Sequence, residues 1–290
     1  MRVAIIGGSG KMGRWFTGRF LEDGNEVVIA DRNEESLLEA GQQFGIEATT
    51  SLSLAVKDAK VVLLSVPIEN FEEVVKKLQP HVHPDQIIID ITSIKTLPVD
   101  AMHKYLRDTL ILGTHPVFGP GAKGLRNQNL VLTPTNERET ALADKIKRYL
   151  EKREARVTVM SPQEHDKMIS IILGLSHFIA IASAETLLNF NGLKQMATIA
   201  GPTYKVLLTL AESVITEDPE LYGSLQMNLP DIQEIEELFL KSTNTWAEIV
   251  KNKDKQGFIN RMNGLKYRLQ RDDPDFGKSY EDMYKLLEGL

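Results

Sequence analysis

Three short tracts carry most of the side chains that could do chemistry. Near the start, the apolar run Val3 to Ile6 meets Gly8-Ser9-Gly10-Lys11-Met12-Gly13 and continues into a helical pattern. Gly8 allows a tight turn after a strand, Gly10 lets backbone approach a pyrophosphate with no side chain between, and Gly13 lets the following helix pack closely. The amino end of that helix then faces the phosphates, which makes the tract a dinucleotide site. Asp31 closes the next apolar run, Glu26 to Ala30, where ribose hydroxyls would lie. A carboxylate there favours NAD, while the neighbouring guanidinium of Arg32 can meet the 2′-phosphate of NADP and keeps that cofactor usable.

The second tract, Asp90-Ile91-Thr92-Ser93-Ile94-Lys95, offers the Ser93 hydroxyl and the Lys95 ammonium, which together could orient a substrate. It also reads as a helix start, with Thr92 or Ser93 as cap and Lys95 solvated. The third tract places His115 at the end of the run Leu110 to Thr114, ahead of the rigid Pro116-Val117-Phe118-Gly119-Pro120-Gly121. A histidine so positioned is the best general-base candidate among the six. Ser65, Val66 and Pro67 end the run Ala59 to Pro67 and belong to the cofactor side of the same crevice, because ligands sit at strand carboxyl ends in such sheets. There is no cysteine, hence no thiolate nucleophile or disulfide, and no spacing that would hold a metal.

The elements that must position these residues alternate. Short apolar strands and helical patterns follow one another to Met160, which predicts an α/β fold: a doubly wound Rossmann-type dinucleotide-binding domain over residues 1–160. Ser161-Pro162-Gln163-Glu164 is a capping box that opens an all-helical remainder, residues 161–290, ending in a short helix after Asp272. Within it, Ile169 to Leu188 is apolar almost all round, so this helix is expected to be buried in a bundle or between subunits, and the domain to be an all-α dimerisation domain. At roughly 20 residues it approaches a membrane span, but the embedded Ser176, His177, Ser183 and Glu185 and the lack of a second such segment point to a dimer core instead.

Composition fits this picture. With 290 residues, 42% hydrophobic and 26% charged, the chain can bury a sizeable core. A net charge of -6 argues against a broad basic face for nucleic acid. Met1-Arg2-Val3 leads straight into a strand with no signal-like apolar stretch, and together with the missing cysteines this predicts a cytoplasmic protein.

Four tracts, GGSGKMG from Gly7, DITSIK from Asp90, HPVFGP from His115 and EHDKMISIILGLSHF from Glu164, resemble the prephenate dehydrogenase family, which includes arogenate dehydrogenases. The resemblance implies NAD(P)-dependent oxidative decarboxylation of prephenate to 4-hydroxyphenylpyruvate, in tyrosine biosynthesis, by a homodimer. By position, His115 matches the family's catalytic histidine, Ser93 a serine near the nicotinamide, and Lys95 a lysine of the same motif. His165 and His177 match helical-domain positions near the substrate. The family's arginine for the pyruvyl carboxylate is replaced here by Ser213, so another cation must serve. Lys205, eight residues earlier on the same expected helix, and Arg126, after the HPVFGP loop, are the candidates. A different NAD(P)- or F420-type reductase of the same architecture would leave HPVFGP and the two helical histidines unexplained.

Overall fold

Strand β1 (Arg2–Ile6) accounts for the sheet around it. Ala4 and Ile6 enter one apolar cluster and Val3 and Ile5 another, so neither face meets water, as in a strand inside a parallel sheet. A computed structural model describes residues 1–288. In the first of its two compact units, Met1–Ile169 with Met227–Leu229, β1 lies among β2 (Glu26–Ala30), β3 (Glu47–Thr49), β4 (Val61–Leu64), β5 (Ile87–Asp90), β6 (Leu110–Pro116), β7 (Asn129–Thr133) and β8 (Arg156–Val159). Their order is β3-β2-β1-β4-β5-β6-β7-β8, parallel through β6, with β7 antiparallel to β6 and β8 parallel to β7. The chain reverses its direction of growth between β1 and β4, which opens a crevice at their carboxyl ends. The doubly wound α/β reading holds. The short β3 was not expected, because Glu47-Ala48-Thr49 has no apolar run to announce it.

The helices of this unit are α1 (Lys11–Glu22), α2 (Glu34–Phe44), α3 (Leu52–Val56), α4 (Ile68–Leu78), α5 (Thr96–Tyr105), α6 (Glu137–Glu151) and α7 (Pro162–Ile169). The capping box is present: Ser161 N and Oγ both donate to Glu164 Oε2, and Glu164 N donates to Ser161 Oγ at 3.2 Å. The unit nevertheless runs on past residue 160 through α7. That helix buries Pro162, His165, Asp166 and Ile169, and its Asp166 carboxylate takes backbone hydrogen bonds from Lys95 and Thr96.

The second unit contains a π-helical turn (Ser170–Leu175) and the helices α8 (Ser176–Leu188), α9 (Leu193–Ile199), α10 (Pro202–Ile215), α11 (Pro219–Asn228, as far as Gln226), α12 (Ile232–Lys251), α13 (Lys255–Asp272) and α14 (Ser279–Glu288). The expected last helix is α14; Gly289 and Leu290, at the end of the expected domain, lie outside the described residues. α8 packs on α10, yet Ala180 is its only fully buried residue. Ile172 stays 52% exposed, Leu188 70% and Ile199 88%. The bundle of one chain therefore does not cover the apolar helix, contrary to one of the two expectations for it. The stretch Pro162–Leu188 also meets the length and composition of a membrane-crossing helix, with 11% of its most apolar window buried.

Candidate active site

The glycine turn leaves β1 and enters α1, but the glycines divide the work differently from the expected pattern. The left-handed residue is Gly7 (φ 80°), whose Cβ would overlap the Ser65 carbonyl. Gly8 has an ordinary φ and is small because a Cβ there would come within 2.6 Å of the Ile29 side chain. The tight turn thus belongs to Gly7, and Gly8 serves the approach of β2. A Cβ on Gly13 would overlap Gly7 and Gly8 backbone, as close packing of the helix requires.

Gly10 is different. Its Cβ would meet only Gly7 O, at 3.4 Å, so nothing in the chain's own packing demands a glycine there. It is also the N-cap of α1 and brings no side chain to the free amides of the first turn. An open glycine before an uncapped helix amino end is what a pyrophosphate needs, so these residues fit a dinucleotide. Lys11 is exposed in that first turn, and Met12 is half-buried against the β1–β2 cluster. Asp31 lies beside the turn, accepting from Ser9 Oγ at 2.6 Å and Ser9 N at 3.3 Å. It does not cap α2, because Asn33 does so by accepting from Ser36 N. Arg32 is exposed next to it, Ser65 and Val66 close over Gly7, and Pro67 starts α4.

At the carboxyl ends of β5 and β6 the polar residues of DITSIK turn inward. Lys95 has no exposed surface; its Nζ donates to Asp90 Oδ2 and, at 2.6 Å, to the Thr114 carbonyl. Thr114 Oγ1 returns a bond of 2.7 Å to the Asp90 carbonyl, and Thr92 N donates to Asp90 Oδ1 at 2.7 Å. Burial pushes the Asp90 carboxyl up and the Lys95 amine down, while each opposes the shift of the other. The expectation that Lys95 faces a substrate is therefore corrected, as is the alternative that it is solvated. Its ammonium is consumed in joining two strand ends. Ser93 is half-buried in the same loop.

The residue after Thr114 is His115, opposite Val131 of β7 and 3% exposed. Its Nδ1 lies 2.8 Å from Nε2 of His165, with the rings edge to face at 75°. His165 Nδ1 lies 2.8 Å from Asp166 Oδ1. The same carboxylate accepts from Lys95 N at 2.6 Å and from Thr96 N at 2.8 Å, at the start of α5. Burial works to raise the Asp166 carboxyl, but the His165, Thr96 and Lys95 hydrogen bonds outweigh it and hold the group below its ordinary range. Burial, with the nearby His165 and Lys95, holds His115 well below the ordinary imidazole value of 6.5. The sequence suggested His115 and His165 separately; it missed their contact, and missed the roles of Asp166, which adjoins His165, and of Asp90, which opens the DITSIK tract.

The remaining candidates lie elsewhere. Arg126 is not joined to this cluster; its guanidinium pairs with Glu154 at 3.2 Å, on a side chain 74% exposed. In the second unit His177 stands edge-on to Tyr222, its Nδ1 buried without a partner, and burial lowers its pKa. Lys205 and Ser213 are both exposed on α10. No group of metal-binding side chains occurs among the described residues.

Two family models cover most of the chain: the prephenate dehydrogenase nucleotide-binding domain over residues 18–159 and the prephenate dehydrogenase dimerization domain over residues 161–264. The chain belongs to the prephenate dehydrogenase family. Among relatives of this family, the probable arogenate/prephenate dehydrogenase of Methanocaldococcus jannaschii is 34% identical over 90% of this chain and 59% of its own length. The T-protein of Enterobacter agglomerans is 29% identical over 90% of this chain and 65% of its own length. The chain thus spans about three fifths to two thirds of these relatives. Prephenate dehydrogenase from Aquifex aeolicus, solved with hydroxyphenyl propionate and NAD+, has the same fold, with a TM-score of 0.75 at 24% identity over 94% of this chain and 98% of that one.

The inward-facing lysine yields a direct test. Lys95→Met is expected to lower unfolding free energy by about 3–5 kcal/mol, since it leaves the Asp90 charge buried and unpaired. An unchanged urea midpoint would return Lys95 to solvent or substrate.

Proposed function

We propose that the chain is an NAD-dependent prephenate dehydrogenase, with NADP usable, acting through His115 as general base. The observation that carries this reading is a buried imidazole, held neutral, near the carboxyl end of a strand parallel to the one that ends in the glycine turn. Base and dinucleotide turn therefore open on the same edge of the sheet. The NAD+ present in the Aquifex aeolicus enzyme agrees with Asp31 beside the turn here.

In this reading residues 1–160 bind the dinucleotide, through Gly8, Ser9, Gly10, Lys11, Met12, Gly13, Asp31, Arg32, Ser65, Val66 and Pro67, with Gly7 added. When bound, the nicotinamide supplies the acceptor for a hydride. His115 accepts the carbinol proton as the carbinol hydrogen departs with its electron pair, which avoids an oxocarbenium-like carbon. Loss of the ring carboxylate as CO2 then drives its electron pair into the ring, and His115 returns the proton to the new phenolate oxygen. Ser93 orients the hydroxyl. Residues 161–290 supply His165, His177 and the cation for the carboxylate that stays. Arg126 is engaged with Glu154, which favours Lys205 for that role. The same residues form a homodimer, supported by the dimerization-domain match and by the apolar side chains left exposed on α8 and α9. The relative from Methanocaldococcus jannaschii is named for both substrates, so arogenate is the second reading.

Incubation with prephenate or arogenate and NAD+ or NADP+, followed by absorbance of the reduced cofactor, tests the reaction. Turnover of neither substrate would refute it. His115→Asn should lower kcat by about 10²- to 10⁴-fold. Because the base works when neutral and its pKa is depressed, kcat/KM should rise with pH only below 6.5 and stay level above it. A near-normal kcat in His115→Asn, or an acid limb above that value, would contradict the assignment.

Asp31→Ala should move the ratio of kcat/KM values toward NADP, since the carboxylate repels a 2′-phosphate. Wild-type preference for NADP would show that Arg32 dominates. Sedimentation equilibrium should find a dimer at micromolar concentration; a monomer would remove the dimer from this reading.

A further inference from the structure

The contacts between Asp166 and His115 have a direction, and the direction decides which nitrogen of His115 is free. Asp166 is the fixed end. Its two oxygens accept the Lys95 and Thr96 amides at the amino end of α5, and both must be acceptors for those bonds to exist. An ionised carboxylate with three donors around it has no proton to give. The bond to His165 therefore runs one way: His165 Nδ1–H donates to Asp166 Oδ1. At a pH where both rings are neutral, His165 Nε2 then carries only its lone pair, so at 2.8 Å it must accept from His115 Nδ1–H. One nitrogen is left. His115 Nε2 is unprotonated, and no described residue bonds it.

From this geometry we infer that Asp166 and His165 are positioning residues that lock His115 in the Nδ1–H tautomer and so make Nε2 the basic atom. Both act here through His115. Reversing the chain of donors would put a proton on Nε2, and the imidazole would be aligned but useless as a base. Resting on the proposed dehydrogenase for its kinetic consequence, the tautomer itself is readable with no substrate present. The arrangement also explains why two adjacent residues of α7 are buried with their polar ends toward β6 and α5. Imidazoles that must present a chosen nitrogen are held in this way at metal sites and in hydrolase triads, by a hydrogen bond to the other nitrogen.

The two amide replacements of His165 separate this role from simple packing. Asparagine carries its amide near the position of Nδ1, so His165→Asn keeps a partner for Asp166 and abandons His115. Glutamine carries its amide near the position of Nε2, so His165→Gln can turn its carbonyl oxygen to His115 Nδ1–H. The expected loss of kcat is about 10²-fold for His165→Asn with KM values little changed, and most of that loss is recovered in His165→Gln. Equal kcat in the two variants, or a kcat for His165→Asn within about threefold of wild type, would overturn the positioning role.

The decisive readout is independent of turnover. Proton–nitrogen correlation of the full chain labelled with 15N-histidine, at a pH above the imidazole range, reports which ring nitrogen carries hydrogen; signals lost in His115→Asn and His165→Asn assign the two rings. Both are expected to be protonated on Nδ1. A proton on His115 Nε2 would overturn the inference even if the dehydrogenase assay succeeds. The expected tautomers in a protein that turns over neither substrate would uphold it while removing the proposed function.

Discussion

The carboxylate of Asp166 ties three elements to one point. It lies on α7, it receives the first amides of α5, and it holds the imidazole that meets His115 on β6. α5 has no side-chain cap of its own at Lys95, so the anion from a distant part of the chain satisfies amides that would otherwise be orphaned and sits where the helix dipole favours negative charge. Lys95 extends the same junction in the other direction. Its backbone bonds Asp166, while its side chain reaches Asp90 and the Thr114 carbonyl. The β5–α5 loop is thereby fastened to the strand that carries the base.

Such a cluster stands or falls as a unit. Asp90, Lys95, Thr114, His115, His165 and Asp166 are all buried, and a buried polar group costs free energy unless it is bonded. Each of the six has a partner in the cluster. The outcome for His115 is an imidazole that burial, His165 and Lys95 all push toward the neutral form, which is the form that can take a proton. In the second unit, His177 Nδ1 is buried with no hydrogen-bond partner among the described residues.

Features written in short runs of sequence were legible. The strands other than β3, the glycine turn and the Ser161–Glu164 capping box all depend on neighbours within a few residues. The run of Gly7 and Gly8 did not reveal which of the two takes the left-handed conformation, because that depends on the backbone of Ser65. The burial of Lys95 was hidden for a similar reason. A lysine reads as solvated or ligand-facing until its partners are known, and the Thr114 carbonyl that takes its ammonium lies 19 residues away on strand β6. The contact of His115 with His165 spans 50 residues and leaves no periodic trace. The Ile169 to Leu188 pattern predicts a helix buried in a bundle or between subunits, and within one chain it stays largely exposed.

A crystal structure of the protein with the oxidised dinucleotide and 4-hydroxyphenylpyruvate tests the central claim most directly. The phenolic oxygen should lie about 2.6–3.2 Å from His115 Nε2, the separation for proton transfer, with Nδ1 still on His165 and the Lys95 ammonium still on Asp90 and Thr114. A phenolic oxygen bonded to another side chain, with His115 Nε2 turned away from it, would contradict the account.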